Sequence, residues 1–498
     1  MNRDTLDKNI HYWAGVKPLS DAIISLRSHN SVNYEELNTL VNQYCHTLAG
    51  MIRPEERCVL VLDDTIACHA VIHAIFRLGA VLIPIDPQLG LTTRKNIIRH
   101  VEPHHLLLGE QHQPEVWEAE AGCNTYIFSN KTPEKSTPYF TSLAQTNKLA
   151  MIAYTSGTTK DPKGVTLKHK HLISAYRSAS KYMYAPSRVG CVFRMATLGT
   201  LGIHFFYAQQ NGAATVLLPE LNILNAKDFW TNYKKHHIDF VYLVPSLVKL
   251  LNHFGKAMEE HPGGLAVSAG APLPEHEQTD FQHKFNIPLR NIYGLTESSF
   301  AVFYGQQNEN RGTNTIGKPL SVAIRIIDNN GNEVEKGEMG ELTYRGPMVS
   351  EGYFKNDGAN AETFIEGWLH TGDLVRADEA NNLKIVGRKK DLIIRGGFNI
   401  HLQEIEEFLL SQPNVINACA LGRPNPVKGE ELLACVQVKK FSEPFRNTLI
   451  EQVKNELGSF RSPDVYLITE TPIPLNASGK IDKKGVLDMF NIKTTRIV

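Results

Sequence analysis

The amino-acid sequence predicts an α/β protein with a large N-terminal multi-sheet domain followed by a small α+β C-terminal domain. Helical and strand patterns alternate through the first part of the chain, as they do in α/β folds. The 498 residues allow a large core and more than one domain. A charge-dense segment at residues 388–391 separates two strand-like runs, LKIV and LIIR, and the chain beyond it has the pattern of a compact unit. We therefore predict two domains, residues 1–387 and residues 388–498.

The N-terminal part contains the clearest helix and strand patterns. Residues Tyr34–Leu48 have the apolar period of a helix, and residues 70–78 predict a second helix. Gly79 follows the second helix, in the position after a helix that glycine favours. Short apolar runs bounded by turn residues predict strands. These runs are residues 59–62, Val81–Ile85, 151–155, 215–218 and 240–244.

The C-terminal part predicts two helices and two strands. The strands are residues 432–438 and Val465–Thr469. Gly458 is placed to end the second helix. Each helix has apolar residues that recur on one face. They are Ile405, Phe408 and Leu409 in the first helix and Leu449, Ile450, Val453 and Leu457 in the second.

Charge and cysteine content exclude several classes of protein. Lys+Arg and Asp+Glu each number 52, so nothing indicates a nucleic-acid partner. The seven cysteines are dispersed and include no Cys-x-x-Cys, which argues against disulfides or zinc and for a reducing compartment. The N-terminus lacks the apolar core of a signal peptide, and the longest apolar stretch, residues 70–85, is too short and too charged to span a bilayer. We therefore expect a cytoplasmic protein without a membrane span.

The most informative segment is YTSGTTKDPKGV at residues 154–165. Its hydroxyls, glycines and lysines can surround a polyphosphate with O–H, N–H and ammonium donors. It is not the usual P-loop, which ends in Gly-Lys-Ser/Thr. On composition alone a flexible surface loop is the alternative, because Gly/Ser/Thr-rich segments are usually linkers. The candidate phosphate-binding residues are Thr155, Ser156, Gly157, Thr158, Thr159 and Lys163.

The order of residues in this loop, Thr-Ser-Gly-Thr-Thr and then Pro-Lys-Gly, resembles the phosphate loop of the adenylate-forming superfamily. That superfamily contains acyl- and aryl-CoA ligases, peptide-synthetase adenylation domains and luciferases. Further segments resemble its motifs, in the same order, along nearly the whole chain. They are SAGAPL (268–273), NIYGLTE (291–297), EMGELTYRGPMVSEGY (338–353), GWLHTGD (367–373), GRKKD (387–391), RGGFNI (395–400) and PLNASGKI (474–481). The chain looks most like the fatty-acyl and aryl-CoA ligases.

This resemblance implies an ATP site in the large domain. Residues 155–163 would hold the β- and γ-phosphates, Thr296 would donate to the α-phosphate, and Glu297 would hold Mg²⁺, which prefers oxygen ligands. Taken alone, Glu297 would fit a solvated turn carboxylate better, and Tyr293 would fit a core or interface residue. The resemblance assigns the adenine and ribose to a further set of residues. They are Gly270, Ala271, Pro272, Asn291, Tyr293, Gly294, Asp373 and Arg388.

The resemblance also implies that the small domain is a mobile lid. Lys480, in NASGK, resembles the family lysine that bridges the attacking carboxylate and the α-phosphate; the alternative is a solvated surface lysine. The lid would then rotate about a hinge at residues 388–391. Lys390 fills the family's hinge position, although a solvated charge is again the alternative. The rotation would bring Gly396 and Gly397 to the thiol tunnel.

The segment RMATLGTLGIHFF at residues 194–206 departs from the family pattern. Leu198 and Gly199 stand where the family usually has an aromatic–His pair near the acyl pocket. We therefore expect room at the mouth of the pocket for a medium-to-long aliphatic or extended aromatic acid. His204, beside two phenylalanines, is expected to be packed rather than catalytic.

These features predict an enzyme, an acid–thiol ligase, that uses ATP and Mg²⁺ to convert a carboxylic acid into acyl-AMP and pyrophosphate. The acyl group then passes to a thiol, with CoA the expected acceptor and fatty acid metabolism the expected setting. One alternative loads the acid onto the phosphopantetheine of a separate carrier protein. Another is a non-catalytic nucleotide- or acyl-binding homologue, against which Lys480, Glu297 and Asp373 argue. The missing Gly-Lys-Ser/Thr disfavours a P-loop kinase.

Overall fold

The computed structural model describes residues 3–114, 117, 122–134, 137–154, 163–194, 198–305, 315–395, 398–425, 429–475 and 481–492. Over these residues the strands form sheets of nine, six, five and five strands. Three sheets belong to a large N-terminal domain, and the last five-stranded sheet belongs to a small C-terminal domain. The predicted fold class is therefore confirmed.

The first part of the large domain contains a six-stranded sheet with order β6-β5-β3-β4-β7-β8. Its elements in chain order are α1 (Asp7–Val16), β1 (Asp21–Ser25), β2 (Asn30–Asn33), α2 (Tyr34–Leu48), β3 (Arg57–Val61), α3 (Ile66–Arg77), β4 (Val81–Ile85), α4 (Leu91–Val101), β5 (His105–Gly109), β6 (Asn124–Phe128), β7 (Leu149–Tyr154), β8 (Gly164–Lys168) and α5 (His169–Tyr182). Strands β7 and β8 are antiparallel, and Tyr154 pairs with Gly164. The two ends of the candidate phosphate loop therefore meet at one point of the sheet.

The second part contributes most of the nine-stranded sheet, with order β15-β14-β13-β12-β11-β9-β10-β1-β2. Its elements are β9 (Arg188–Cys191), α6 (Leu198–Leu201), a π-helix (Gly202–Tyr207), α7 (Ala208–Asn211), β10 (Ala214–Leu217), α8 (Phe229–Lys235), β11 (Phe240–Leu243), α9 (Pro245–Phe254), β12 (Leu265–Ser268), α10 (Glu275–Phe285), β13 (Leu289–Tyr293), β14 (Phe303–Tyr304) and β15 (Lys318–Pro319). Strands β9 to β13 run parallel. Their carboxyl ends therefore share one edge, which is where ligands bind in open α/β sheets.

The remaining two sheets have five strands each. The sheet that completes the large domain contains β16 (Ala323–Ile327), β17 (Met339–Arg345), α11 (Asp357–Thr363), β18 (Phe364–Ile365), β19 (Trp368–Ala377) and β20 (Leu383–Arg388). The small domain contains β21 (Leu392–Arg395), β22 (Phe398–His401), α12 (Leu402–Leu410), β23 (Val415–Asn425), β24 (Gly429–Val438), α13 (Glu443–Leu457), β25 (Val465–Thr469) and α14 (Lys483–Met489). The predicted apolar faces of α12 and α13 meet in a separate core around Ile405, Leu409, Leu449 and Val453.

Local capping explains where the helices begin and end. Helix α2 has the predicted bounds, and Asn33 and Glu36 form a reciprocal capping box at its start. Helix α3 begins four residues before the predicted start, because Thr65 Oγ1 accepts from Cys68 N at 3.1 Å and caps it. After α3, Gly79 adopts a φ of +72°, and a Cβ there would lie 3.0 Å from a backbone oxygen. Glycine therefore ends this helix as predicted.

All seven cysteines are free thiols, and six of them are buried. None of the helices in the described ranges combines the length and apolar character that a bilayer crossing requires.

Candidate active site

A buried carboxylate on the third sheet of the large domain anchors the candidate site. Asp373 lies in β19, and its partner in register on β20 is Arg388. Arg388 Nε lies 2.7 Å from Asp373 Oδ1, and Tyr293 Oη donates to Asp373 Oδ2 at 2.5 Å. Asp373 is only 2% exposed, whereas 44% of the Arg388 side chain is exposed. These three predicted residues are therefore brought together, and they link the end of β13 to β19 and β20.

The protonation states of this trio follow from burial and the Asp373 charge. Burial raises the pKa of Tyr293, and the Asp373 charge raises it further, so the phenol remains a donor at neutral pH. Burial is the largest single effect and would lower the pKa of Arg388, but the charge and hydrogen bond of Asp373, together with Tyr293 and Asp391, raise it overall. A carboxylate offers about four lone-pair positions. Asp373 therefore retains acceptor positions for the hydroxyl groups of a ligand.

The residues predicted to lie beside adenine follow two neighbouring parallel strands. Residues 270–272 come after β12, whose Ser268 pairs with Asn291 of β13. Gly270 has a φ of +90°, a conformation that favours glycine. Asn291 Nδ2 donates to Thr315 O at 3.2 Å. The sheet thus brings these predicted residues to one edge, next to Tyr293.

The turn after β13 presents the predicted metal ligand. A Cβ on Gly294 would lie 2.1 Å from the carbonyl oxygen of Phe300, so this close approach requires glycine. The turn includes the 3₁₀ segment Thr296–Ser298, in which Glu297 is the central residue. Ser350 N donates to the Glu297 carbonyl oxygen at 2.7 Å, which fixes the turn against the chain that follows β17.

Tyr353 connects Glu297 to the candidate phosphate loop. Glu297 Oε1 accepts from Tyr353 Oη at 2.7 Å. Lys163 Nζ lies 5.2 Å from the centre of the Tyr353 ring, within the range of a cation–π contact. Phe354 N also donates to Gly164 O at 2.8 Å. The structure therefore brings two predicted residues, Lys163 and Glu297, to the same tyrosine.

Sequence analysis assigned no role to Tyr353. It is the last residue of segment 338–353, which resembles a family motif, and this place in the motif was the sequence feature that could have indicated a functional role. Burial raises the pKa of Tyr353, and the Glu297 charge raises it further, so its hydroxyl stays protonated. Tyr353 therefore donates a hydrogen bond that fixes the position of the Glu297 carboxylate.

The surroundings of Glu297 fit a magnesium ion held largely by phosphates. Among the described residues no hydrogen-bond donor reaches Glu297 Oε2, which leaves that oxygen available. Over the same residues no group of three or more His, Cys, Asp or Glu side chains has a metal-binding arrangement. Mg²⁺ is usually bound by one or two carboxylates plus substrate phosphates. One free carboxylate oxygen beside a phosphate loop agrees with that mode.

Several predicted residues lie outside the described ranges. They are Thr155, Ser156, Gly157, Thr158, Thr159, Gly396, Gly397 and Lys480. The structure describes the chain on either side of Lys480, where Leu475 and Ile481 form an antiparallel bridge and Asp482 N donates to Pro474 O at 2.9 Å.

The predicted hinge is a 3₁₀ segment, Lys389–Asp391, that joins β20 to β21. Lys389 Nζ lies 3.1 Å from Glu341 Oε2 in the large domain. Asp391 Oδ1 lies 3.3 Å from Lys483 Nζ in the small domain. Lys390 is between them, and its pKa is lowered, first by desolvation and then by repulsion from Arg388. The segment is thus attached to both domains through the residues that flank Lys390.

The segment predicted to border the acyl pocket forms α6 and a π-helix. Leu198 is buried and Gly199 is exposed at the start of α6. π-Helices are rare and occur often at functional sites. His204 is fully buried, its Nδ1 lies 3.0 Å from Thr200 O, and burial lowers its pKa to about 3. His204 is therefore a neutral, packed residue, as expected.

Comparisons with known proteins identify the family. The family described as AMP-binding enzyme matches residues 10–354, and the AMP-binding enzyme C-terminal domain matches residues 404–480. The chain therefore belongs to the AMP-binding enzyme family, and the predicted resemblance is confirmed.

The relatives and solved structures extend over most of the chain. A sulfoacetate–CoA ligase of Cupriavidus necator is 28% identical, covering 87% of this chain and 85% of its own. A 2-succinylbenzoate–CoA ligase of Bacillus cytotoxicus is 27% identical, covering 95% and 97%. ATP-bound MatB from Rhodopseudomonas palustris shares the fold with a TM-score of 0.88, 21% identity and coverage of 98% and 99%. The o-succinylbenzoate CoA synthetase from Bacillus subtilis in complex with its acyl-adenylate has a TM-score of 0.85, 23% identity and coverage of 97% and 98%.

Proposed function

We propose that this enzyme is an AMP-forming acid–thiol ligase that uses ATP and Mg²⁺ to join a carboxylic acid to CoA. The observation that supports it most is the arrangement of two clusters in one large domain. Tyr293, Asp373 and Arg388 form a polar cluster suited to a nucleoside. Glu297 and Lys163 meet at Tyr353 in a cluster suited to phosphates and a metal. The CoA ligases among the relatives support the same reaction class.

The nucleoside cluster would hold ATP by its ribose. The remaining acceptor positions of Asp373 would receive the ribose hydroxyls, and the partly exposed guanidinium of Arg388 would donate to the ribose. The hydrogen bond from its hydroxyl to Asp373 orients the Tyr293 ring, which would then lie against the adenine. Residues 270–272 and Asn291 would complete the adenine site.

The phosphate cluster would stabilise charge during adenylation. Residues Thr155 to Thr159 and Lys163 would bind the β- and γ-phosphates, and Thr296 would donate to the α-phosphate. Glu297 would hold Mg²⁺ through the oxygen that Tyr353 leaves available. When bound, the metal supplies positive charge next to the departing pyrophosphate.

The reaction has two steps. In the first, a carboxylate oxygen of the acid attacks the α-phosphorus of ATP, the bond to the bridging oxygen breaks, and pyrophosphate leaves. Lys480 would bridge the attacking carboxylate and the α-phosphate and neutralise their mutual repulsion. In the second, the CoA sulfur attacks the acyl carbon, the thiol proton is released, and AMP leaves with the former carboxylate oxygen.

The two steps would use different positions of the small domain. We place the domain boundary at residues 387 and 388 and the hinge at residues 388–391, so that Arg388, the last residue of β20 and the partner of Asp373, is also the first residue of the hinge. The contacts of Lys389 with the large domain and of Asp391 with the small domain support this position, because they leave Lys390 as the residue between two anchored neighbours. Rotation at Lys390 would withdraw Lys480 and bring the Gly396–Gly397 loop to the thiol.

The identity of the acid can be tested through the acyl segment. A medium-to-long aliphatic or extended aromatic acid would use the space beside the exposed Gly199. Gly199→His should shift the preference toward shorter acids and leave the KM for ATP nearly unchanged. Measuring kcat/KM over a chain-length series checks this, and an unchanged profile would mean that position 199 does not line the pocket.

The experiment that tests the proposed function is a panel of acids assayed for pyrophosphate and AMP release. The panel contains fatty, aryl and amino acids, together with sulfoacetate and 2-succinylbenzoate, which the names of two relatives suggest. Each acid is tested with CoA and with a phosphopantetheinylated carrier protein, because carrier loading is the second candidate function. Thioester formation with CoA supports the proposal, and thioester formation only on the carrier replaces it. Binding of ATP without turnover of any acid indicates a non-catalytic homologue.

A further inference from the structure

A cavity of about 590 Å³ lies between the large and small domains. Helices α9 and α10 form its large-domain wall, and the turn between α12 and β23, together with Lys439 after β24, forms its small-domain wall. None of its lining residues belongs to the candidate active site. Its lining contains three lysines and three histidines. They are Lys249, Lys284, Lys439, His253, His276 and His283.

Two lysines from opposite domains repel each other in this cavity. Lys249 in α9 donates a hydrogen bond from Nζ to the carbonyl oxygen of Ile416 in the small domain. The pKa of Lys249 is lowered, first by burial and also by the charge of Lys439, although Glu277 opposes this effect. Among the described residues, no carboxylate lies within ion-pairing distance of either ammonium group. The two lysines line the same cavity, and the Glu277 carboxylate attracts the Lys249 ammonium group without lying within ion-pairing distance of it.

The acidic residue that attracts Lys249, Glu277, contacts Asn252 of α9 and His276 of its own helix, α10. Glu277 Oε2 accepts from Asn252 Nδ2 at 2.6 Å, and Glu277 Oε1 lies 3.7 Å from His276 Nε2. Lys284 Nζ donates to Asn252 O at 2.6 Å. The other acid of the lining, Asp280, is one turn further along α10. These contacts occupy Glu277 and Lys284, and they leave Lys249 and Lys439 to meet a ligand.

We propose that this cavity binds a phosphoryl dianion between Lys249 of the large domain and Lys439 of the small domain. Lysine is a compact charge that suits phosphate oxygens, and such contacts are stronger in a partly enclosed cavity than in water. The dianion offsets the repulsion between the two ammonium groups and ties the domains together in this orientation. The site is independent of the proposed ligase reaction. The same chemistry is present in inorganic phosphate and in the 3′-phosphate of a nucleotide.

The test is calorimetric titration of the full chain with inorganic phosphate at constant ionic strength, with saturating AMP present to occupy the nucleotide site. We expect one phosphate to bind per chain. Lys439→Met and Lys249→Met should each weaken binding at least about tenfold, because each removes a charge-assisted hydrogen bond. Lys454→Met, which removes an exposed lysine of α13 in the same small domain, should bind phosphate as the unaltered chain does.

A conservative variant distinguishes an effect of the lysine charge from an effect of misfolding. Lys439→Arg keeps the positive charge and should retain binding within about threefold. A parallel titration with adenosine 3′,5′-bisphosphate and with AMP alone distinguishes the two sources of the phosphate. Tighter binding of the bisphosphate, dependent on Lys439, would identify a nucleotide 3′-phosphate as the ligand. The proposal is overturned if neither anion binds beside AMP, or if the Lys→Met and Lys454→Met variants bind equally well.

Discussion

The two domains hold their candidate functional residues in different ways. In the large domain, Asp373 is buried and has Arg388 as its register partner, so strand pairing itself fixes their geometry. The small domain meets the large one through a short 3₁₀ segment and through single contacts such as that of Lys249 with Ile416. The residues proposed to bind the nucleoside thus lie on paired strands, whereas the residues proposed to act in only one step belong to the domain that the proposed mechanism requires to move. Four changes test this comparison.

The largest effect should come from Lys480→Ala in the small domain. Adenylation should fall on the order of 10²–10³-fold, because one preorganised charge is lost from the transition state. Thioester formation from a supplied acyl-adenylate should be unaffected, since that step does not use this lysine. The two half-reactions are measured separately, with Lys454→Ala as the surface control. Equal losses in both would make Lys480 a structural residue.

Glu297→Gln tests the phosphate cluster of the large domain. It removes the charge of the proposed metal ligand and should reduce adenylation by roughly 100-fold while raising the Mg²⁺ concentration needed for half-maximal rate. Tyr353→Phe leaves that carboxylate in place but removes the donor at 2.7 Å, so a smaller loss of about tenfold is expected. The assay is pyrophosphate release over a Mg²⁺ titration. An unchanged Mg²⁺ dependence in Glu297→Gln would contradict the assignment.

Lys390→Pro tests the proposed rotation of the small domain at the hinge. Proline fixes φ and removes an N–H, so the substitution resists a backbone rotation at this position. Thioester formation should fall about tenfold or more, while adenylation stays within about threefold. Lys390→Ala is the matched control and should retain both steps. If the proline variant also retains both steps equally, the hinge lies elsewhere.

The smallest effect concerns stability of the small domain. Burial raises the pKa of Glu406 in α12 to about 7, and its Oε1 accepts from Ala420 N at 2.9 Å. Between the ordinary glutamate pKa of 4.5 and about 7, the folded state binds more protons than the unfolded state, so the free energy of unfolding falls as pH rises through this window.

Glu406→Gln keeps the acceptor and removes the charge. It should therefore raise the melting temperature at pH 8 and leave it nearly unchanged at pH 4. Thermal unfolding at the two pH values measures this difference, and Glu451→Gln on the exposed surface of α13 is the control. A stabilisation of equal size at both pH values would show that the Glu406 charge is not its cause.

The sequence predicted much of the local structure and supplied the candidate residues of the site. The capping residues and the apolar period of α2 are both local, and its predicted bounds agree with the structure. Asp373 and Arg388 were each assigned to the ribose because both belong to recognisable motifs, whereas the ion pair between them emerged only from the structure.

Contacts between distant segments could not be predicted from the sequence. The hydrogen bond from Tyr353 to Glu297 depends on how the chain after β17 packs on the turn after β13. Tyr293 was expected to offer its ring to adenine, and its hydroxyl bond to Asp373 needed the packing of two sheets. The cavity around Lys249 and Lys439 likewise depends on the contact between domains, which no local pattern encodes.

The central claim is that the acid is activated by transfer to AMP, and oxygen labelling tests it most directly. An acid that the panel identifies as a substrate is prepared with oxygen-18 in both carboxylate positions and allowed to react with ATP, Mg²⁺ and CoA. The account predicts that one labelled oxygen per turnover appears in AMP and that pyrophosphate carries none. Label in inorganic phosphate together with ADP, or unlabelled AMP after thioester formation, would contradict it.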